Sequence, residues 1–487
     1  MDTLKEKTAK GLFWGAVNNG STQVFALVIG IFLARLLSPN DYGLVGMLTI
    51  FTILAGNLQS CGFTQALVNI RRPTDNDYNS VFWFNVMAGV ILYTVLFFCA
   101  PLIAAYYRQP SLVLLSRVVF LAVPISSLGI AYNAYMFKNM MNKEQAIIGG
   151  IALIGSGAIA IVLAICDFTY WALAWQQIAY IMIVNVGRYY YVRWRPTLHI
   201  DFKPVRRMFG FSSKMLVTSI INTINSHILT VIFGRLFTAN IVGYFTQANK
   251  WNTMAYSFVS GTLTQVAQPI MSTLTDEKER ELRVFRKMMR FTAFLSFPCM
   301  FGLAFVAREF ILVLLGEQWE QCVPLMQVLC IGGAFMPLYT LYQNLAISNG
   351  RSDIYMWCNI AQIALQIGVI MLFHEYGIQR MVEACALFNI LWLIVWHAWT
   401  ASLIKLRVLD VLLDVAPFAV VTIFTMVLSG IAILPIDNIH LRLVAKVMVA
   451  MVVYVSAMKL LKVKILDECL RYLLRANGSN ADSEHAV

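Results

Sequence analysis

Charge is what this chain has least of. Only 13% of its 487 residues are Asp, Glu, Lys or Arg, against 59% hydrophobic. A water-soluble domain carries about twice that charge, so a soluble globular fold is excluded. The nine cysteines never form C-x-x-C and lie mostly within apolar stretches. That argues against a zinc ribbon, a thioredoxin-type site or a disulfide framework. No Walker motif occurs. The glycine-rich G-G-I-A-L-I-G-S-G-A-I-A, 149–160, sits inside an apolar run rather than after a strand. It reads as close helix packing, not a dinucleotide loop. No cofactor or metal is expected. The net charge of +12 calls for no nucleic acid, because the positive-inside rule accounts for it.

What is abundant is apolar sequence in runs of about 20 residues or more, the length that crosses a bilayer. These predict an all-α polytopic membrane protein of fourteen helices. The first, 11–37, is too long for the apolar region of a signal peptide. The others are 42–68, 80–106, 111–136, 146–166, 169–191, 208–236, 241–270, 288–315, 322–347, 353–376, 380–403, 411–434 and 441–461. With the N-terminus in the cytoplasm, the outward loops hold only Arg108, Arg380 and Arg442 of the 37 basic residues. The even count and this asymmetry predict that both termini are cytoplasmic. The expected organisation is an N-lobe (1–191), a basic cytoplasmic connection (192–207), a C-lobe (208–403), two extra helices (404–461) and a cytoplasmic tail (462–487).

The lobes are related. Shifted by 200 residues without a gap, Arg35 falls on Arg235, Leu36 on Leu236, Asn40 on Asn240 and Gly43 on Gly243. Further along, Ala55, Ser60, Thr64, Gln65 and Ile70 meet Ala255, Ser260, Thr264, Gln265 and Ile270, nine identities in 36 positions. Six spans separate the copies, so both have the same topology. That is the parallel type of transporter repeat, with a substrate site expected between the repeats.

Polar groups inside the apolar spans are the candidate site, since each is costly there. The seventh helix aligns Thr218, Asn222, Asn225 and Ser226 on one face; the first carries Asn18, Asn19, Thr22 and Gln23; the eighth adds Gln247, Asn249, Thr253 and Ser257; the second adds Asn57 and Gln59. Such side chains also serve as interhelical hydrogen-bond partners, but their clustering in the first two helices of each lobe favours an aqueous cavity. Lys250 and His227 are the deepest cations. Arg35 and Arg235 end the first and seventh helices, where a cation complements the helix dipole and reaches free carbonyls. Arg117, Lys214 and Lys446 lie near span ends and are expected to snorkel to the surface; Arg308 is read with its neighbour Glu309. The substrate-binding candidates are Lys250, His227, Arg35, Arg235, Asn18, Thr22, Asn222, Asn225 and Gln247. No catalytic residue is expected.

The run L-A-R-L-L-S-P-N-D-Y-G, Leu33 to Gly43, and G-E-Q-W-E-Q-C-V-P-L-M-Q-V-L, Gly316 to Leu329, resemble the Wzx-type polysaccharide exporters. These belong to the multidrug/oligosaccharidyl-lipid/polysaccharide superfamily of transporters, with the lipid II flippase and the multidrug antiporters. The resemblance covers nearly the whole chain. It implies two six-helix lobes around a central cavity, alternating access, and a lipid partner: an oligosaccharide on undecaprenyl diphosphate, flipped across the bacterial inner membrane. The two last helices resemble the extra pair that offers a tail-binding groove in the lipid II flippase. The resemblance leaves proton or sodium coupling open, along with contacts to other glycan-assembly proteins. The alternatives are a membrane enzyme of glycan assembly, which would need a large outer loop, and a multidrug antiporter, which usually has an acid in its first helix. Neither feature is present in 11–37 or in the predicted loops.

Overall fold

Inside a bilayer every backbone N–H and C=O must be bonded within its own element or to a neighbour, which leaves helices as the solution for apolar runs of this length. The computed structural model describes residues 22–60, 62–198, 200–275, 277–463 and 465–466, and among these it contains no strand. The predicted Met1–Lys10 segment, Asn18, Asn19 and the tail beyond 466 lie outside the described residues. The helices are α1 (Thr22–Leu36), α2 (Pro39–Ser60), α3 (Phe63–Asn69), α4 (Asp75–Tyr107), α5 (Leu112–Val119), α6 (Ala122–Lys138), α7 (Asn142–Ile165), α8 (Tyr170–Tyr191) and α9 (Lys203–Leu236). They continue with α10 (Ala239–Ser272), α11 (Lys278–Leu314), α12 (Cys322–Gly333), α13 (Met336–Ser348), α14 (Ser352–Phe373), α15 (Gly377–Ile404), α16 (Val408–Ile433) and α17 (Ile439–Leu460). Three predicted spans are each made of two consecutive helices, so these elements match the fourteen expected among the described residues.

The breaks have local causes. Gly62 takes a left-handed conformation (φ 69°) between α2 and α3. The α5/α6 and α12/α13 pairs divide the fourth helix of each lobe, with Pro124 early in α6 and Pro337 at the start of α13. A proline is accepted in a first turn, where its missing N–H costs nothing, and is disfavoured mid-helix. The break therefore recurs in both lobes although the ungapped shift does not align these residues.

Two expected boundaries move. α9 starts at Lys203 rather than 208, and α11 at Lys278 rather than 288. Both extensions are polar, amphipathic turns that a search for apolar runs cannot see.

The chain divides into two units, 1–246 and 247–487. In the first, α2 and α4 pack against α9, and α4, α6, α7 and α8 complete the bundle. α4 is opened by a capping box: Thr74 Oγ1 accepts from the Asp77 backbone while Asp77 Oδ2 accepts from the Thr74 N–H at 2.8 Å. Asp77 also binds Arg207 at 2.8 Å, which ties the start of α9 to the start of α4. The connection between α8 and α9 is held down as well. Trp194 is buried against Tyr132, Tyr78 and Phe82, with ring centroids 5.4, 5.8 and 6.2 Å away. Thr197 N–H donates to Asn79 Oδ1 at 2.9 Å and its carbonyl accepts from Trp83 Nε1 at 2.7 Å.

In the second unit α11 is the spine, and α16 and α17 are pinned to it by charge. Arg286 binds Asp414 (2.7 Å) and Asp410 (3.0 Å), with Arg290 3.6 Å from Asp414. At the other end Lys446 pairs with Glu309 at 2.8 Å and donates to the Phe305 carbonyl at 3.2 Å. Lys446 therefore does not snorkel as expected. Its ammonium stays in the protein because Glu309 supplies an anion there. Arg308, one residue away and so turned about 100° around the helix, binds Glu320 at 3.4 Å.

Removing one partner of a buried pair leaves an uncompensated charge, at a cost of about 3–5 kcal/mol. Lys446→Met should lower the unfolding temperature of the detergent-purified protein markedly, and Glu309→Gln in the same chain should restore most of the loss. A single variant as stable as the wild type would show that the pair contributes nothing.

Candidate functional site

The repeated motif owes its residues to one crossing of helix ends. Ser38, Pro39 and Asp41 build the start of α2: Ser38 N–H and Oγ donate to Asp41 Oδ2 at 2.9 and 2.7 Å, and Asp41 N–H donates back to Ser38 Oγ at 3.3 Å. Pro39 fills the first position, where no N–H is needed. Gly43 follows one turn later. A Cβ on Gly43 would overlap the Ala239 carbonyl oxygen, and a Cβ on Gly243 would overlap the Pro39 carbonyl oxygen. Shifted by 200 residues, these two contacts are the same contact. The starts of α2 and α10 thus touch backbone to backbone about a local pseudo-twofold, and the glycine identity of the repeat is the steric condition for it. The contact is extended by Gly46, where a Cβ would crowd Thr246, and by Gly234, where it would overlap the Tyr107 ring. Tyr107 Oη also donates to the Met47 carbonyl at 3.2 Å.

Arg235 serves this closure. Its guanidinium donates to the Tyr106 carbonyl at 2.7 Å, and its centre lies 5.5 Å from the Tyr106 ring centroid. The expectation was a cation at a helix C-terminus. The carbonyl it satisfies belongs to the last turn of α4 rather than to its own helix. Arg35 is exposed at the end of α1.

Along α9 the predicted polar face is accessible: Thr218, Asn222 and Ser226 are exposed and Asn225 is half-buried. Ser226 Oγ donates to the Asn222 carbonyl at 2.9 Å. Asn57 of α2 donates to Thr223 Oγ1 at 2.7 Å, so the neighbouring flank of α9 is used for packing. His227 and Thr22 are half-buried. Asn18 lies outside the described residues.

Lys250 belongs to the second unit. It is exposed, in line with Thr253, Ser257 and Gly261 at spacings of 3, 4 and 4 along α10. No hydrogen bond or ion pair joins its ammonium among the described residues; the nearest ring, Trp251, has its centroid 5.9 Å away. Trp251 is itself buried edge-on to Phe310 at 5.1 Å. Gln247 is on the other flank, fully buried, with neither amide atom bonded. Arg235, Arg286 and Lys446 are each bonded to a carboxylate or a carbonyl, whereas the contact given to the Lys250 ammonium is the Trp251 ring. An exposed ammonium 11 residues into a membrane helix, about 16 Å along its axis, needs water or an anion.

Sequence reasoning missed the Arg286–Asp414 and Lys446–Glu309 pairs. A signal was present for the first: Arg286 and Arg290, like Asp410 and Asp414, are spaced i,i+4, one helical face each.

The family described as polysaccharide biosynthesis protein matches residues 32–324. The chain belongs to that family. Its relatives include the lipopolysaccharide biosynthesis protein WzxC of Escherichia coli, 25% identical over 76% of each chain. The succinoglycan biosynthesis transport protein ExoT of Rhizobium meliloti is 26% identical over 74% of each. Among solved structures, the lipid II flippase MurJ in an inward closed conformation superposes with a TM-score of 0.74 at 11% identity, covering 92% of this chain and 99% of that one. The fold thus follows the all-helical, multi-pass membrane plan of that structure.

The glycine contact is testable by itself. Overpacking against backbone costs about 1–3 kcal/mol, so Gly43→Val or Gly243→Val should disfavour the touching arrangement. Cysteines introduced at Asn40 and Asn240, both exposed, should form a disulfide readily in the otherwise unaltered chain. The yield should fall several-fold in either valine variant, read by gel shift at matched expression. An unchanged yield would mean the glycines are incidental.

Proposed function

We propose that this protein flips an oligosaccharide linked to polyprenyl diphosphate from the cytoplasmic to the outer face of the bacterial inner membrane. Both termini lie in the cytoplasm, and access alternates between the two faces. The observation that carries this reading is Lys250: a deep, exposed ammonium with no anion of its own among the described residues. A diphosphate supplies the missing charge, and a low-dielectric surrounding strengthens the contact. The open amide and hydroxyl face of α9, with Asn222, Asn225 and Ser226, suits the hydroxyl groups of sugars, and His227, Arg35 and Thr22 add further polar contacts. The lipid tail remains in the bilayer while the polar head crosses. Support also comes from the relatives, whose names assign them to lipopolysaccharide biosynthesis and succinoglycan transport.

In this reading the two repeat-related lobes are the moving parts of the exchange, and the touching starts of α2 and α10, one from each lobe, are its closed outer end. Rocking of related halves about a central site is the expected motion for parallel repeats.

A hydrogen bond to a charged group is worth about 1.5–3 kcal/mol, which is about tenfold or more in affinity. Lys250→Gln should therefore reduce polymer export at least tenfold at normal membrane abundance. Lys250→Arg should retain part of the activity, because it keeps the charge while changing the donor geometry. Surface glycan and membrane protein level are measured together. Normal export by the Gln variant would refute the assignment, and loss of the protein from the membrane would make Lys250 a structural residue.

A further inference from the structure

A groove of about 780 Å³ runs along the first unit between α2, α4 and the first turns of α9. Leu58, Phe84, Met87, Ile91 and Phe209 are among its walls, and Arg206 is the one charged residue that lines it. No amide or hydroxyl side chain contributes to the lining. Leu58, Met87, Ile91, Phe202 and Phe209 are all substantially exposed, with 39–59% of their surface accessible. The neighbouring arginines differ in their use. Arg207 is bonded to Asp77. Arg206 is exposed, and no ion pair or side-chain hydrogen bond engages it among the described residues.

On α4 the groove is lined from Phe84 to Leu92. These residues span about 12 Å of helix. The hydrocarbon half of a bilayer is about 15 Å deep. The apolar run of α9 begins at Met208, directly after Arg206 and Arg207, so Arg206 stands at the interface and the apolar walls reach toward the membrane centre. By the distribution of basic loops this is the cytoplasmic leaflet, where basic pockets between helices receive anionic lipid headgroups.

We infer that this groove is a binding site for an anionic phospholipid of the cytoplasmic leaflet, with its phosphate on Arg206 and an acyl chain along Met87 and Ile91. The cation at the interfacial end calls for a phosphate, and the apolar walls call for an acyl chain. The absence of amides and hydroxyls from the lining leaves nothing to hold a glycan, which favours a lipid with a small headgroup over the transported species. The bound lipid bridges α4 and the start of α9, two elements otherwise joined there by the Arg207–Asp77 pair. This site is independent of the transport reading, since it concerns lipid retained by the resting protein.

The test is native mass spectrometry of the full-length protein, delipidated and returned to micelles containing phosphatidylglycerol or phosphatidylcholine. The wild type should retain phosphatidylglycerol at least fivefold better than phosphatidylcholine. Arg206→Ala should abolish that preference, Arg206→Lys should keep most of it, and Met87→Trp, which fills the groove, should reduce retention with Arg206 intact. Thermal unfolding without added lipid, unchanged in all three variants, establishes that they are folded; a variant that fails this control is replaced by Ile91→Trp. Equal retention of the two lipids, or undiminished phosphatidylglycerol binding by Arg206→Ala, would overturn the proposal. So would displacement of phosphatidylglycerol by an equal mole fraction of undecaprenyl phosphate, which would make the groove a polyprenyl site.

Discussion

Two glycines 200 residues apart let the starts of α2 and α10 meet backbone to backbone, and the arrangement of the first unit depends on that contact. A side chain at either position would push the helices apart, because the atoms it meets are carbonyl oxygens that cannot rotate away. Once the ends touch, α9 is drawn against α2 and α4, Arg235 reaches the last turn of α4, and Gly234 accepts the Tyr107 ring. The first unit consequently takes in the whole of the seventh span and ends at residue 246, whereas the repeat boundary in the sequence lies near 200. Covalent repeat and packing unit are different divisions of the chain. The first reflects how the sequence is built, the second how its helices pack in this conformation.

Electrostatics in an apolar medium sorts the remaining charges. Asp77, Glu309 and Asp414 are nearly fully buried, and each has an arginine or lysine within 3 Å. Isolated, any of them would be too costly to keep. The pairs on α11 explain why α16 and α17, which lie outside the repeat, stay attached at both ends of one helix rather than drifting in lipid. Against this background of matched charges Lys250 differs, since its ammonium has no counter-ion among the described residues. A membrane protein keeps such a group where water or a ligand reaches it. Arg206 is the interfacial counterpart in the lipid site inferred above, where a phosphate would do the same service.

The broken helices add a second form of internal symmetry. Each lobe divides its fourth span, α5/α6 and α12/α13, with a proline in the opening turn of the second piece. Breaks of this kind free carbonyls that must be bonded by neighbours, which lipid-exposed backbone could not tolerate. In the second unit Ser296 of α11 donates to the carbonyl of Ala334 at the α12/α13 junction, at 2.7 Å. The discontinuity is thus held by a partner from the helix it packs on.

The chain by itself determined that it is an all-helical membrane protein, because runs of apolar residues have one stable form in a bilayer and show directly in composition. It also determined the repeat, the resemblance to polysaccharide exporters, and the polar face of Thr218, Asn222, Asn225 and Ser226, which depends only on helical periodicity. Tertiary structure decided which charges are neutralised. Lys446 looked like a residue that would reach the surface until Glu309, 137 residues away, was found beside it. Gln247 and Lys250 looked alike in the sequence, yet one is buried and the other exposed. The polar extensions of α9 and α11 were illegible for the same reason: their partners, Asp77 for Arg207 and Asp414 for Arg286, are far away in the chain. Periodicity tells which side chains share a face, while the direction that face points is set by whatever packs against it, and that is known only once the helices are assembled.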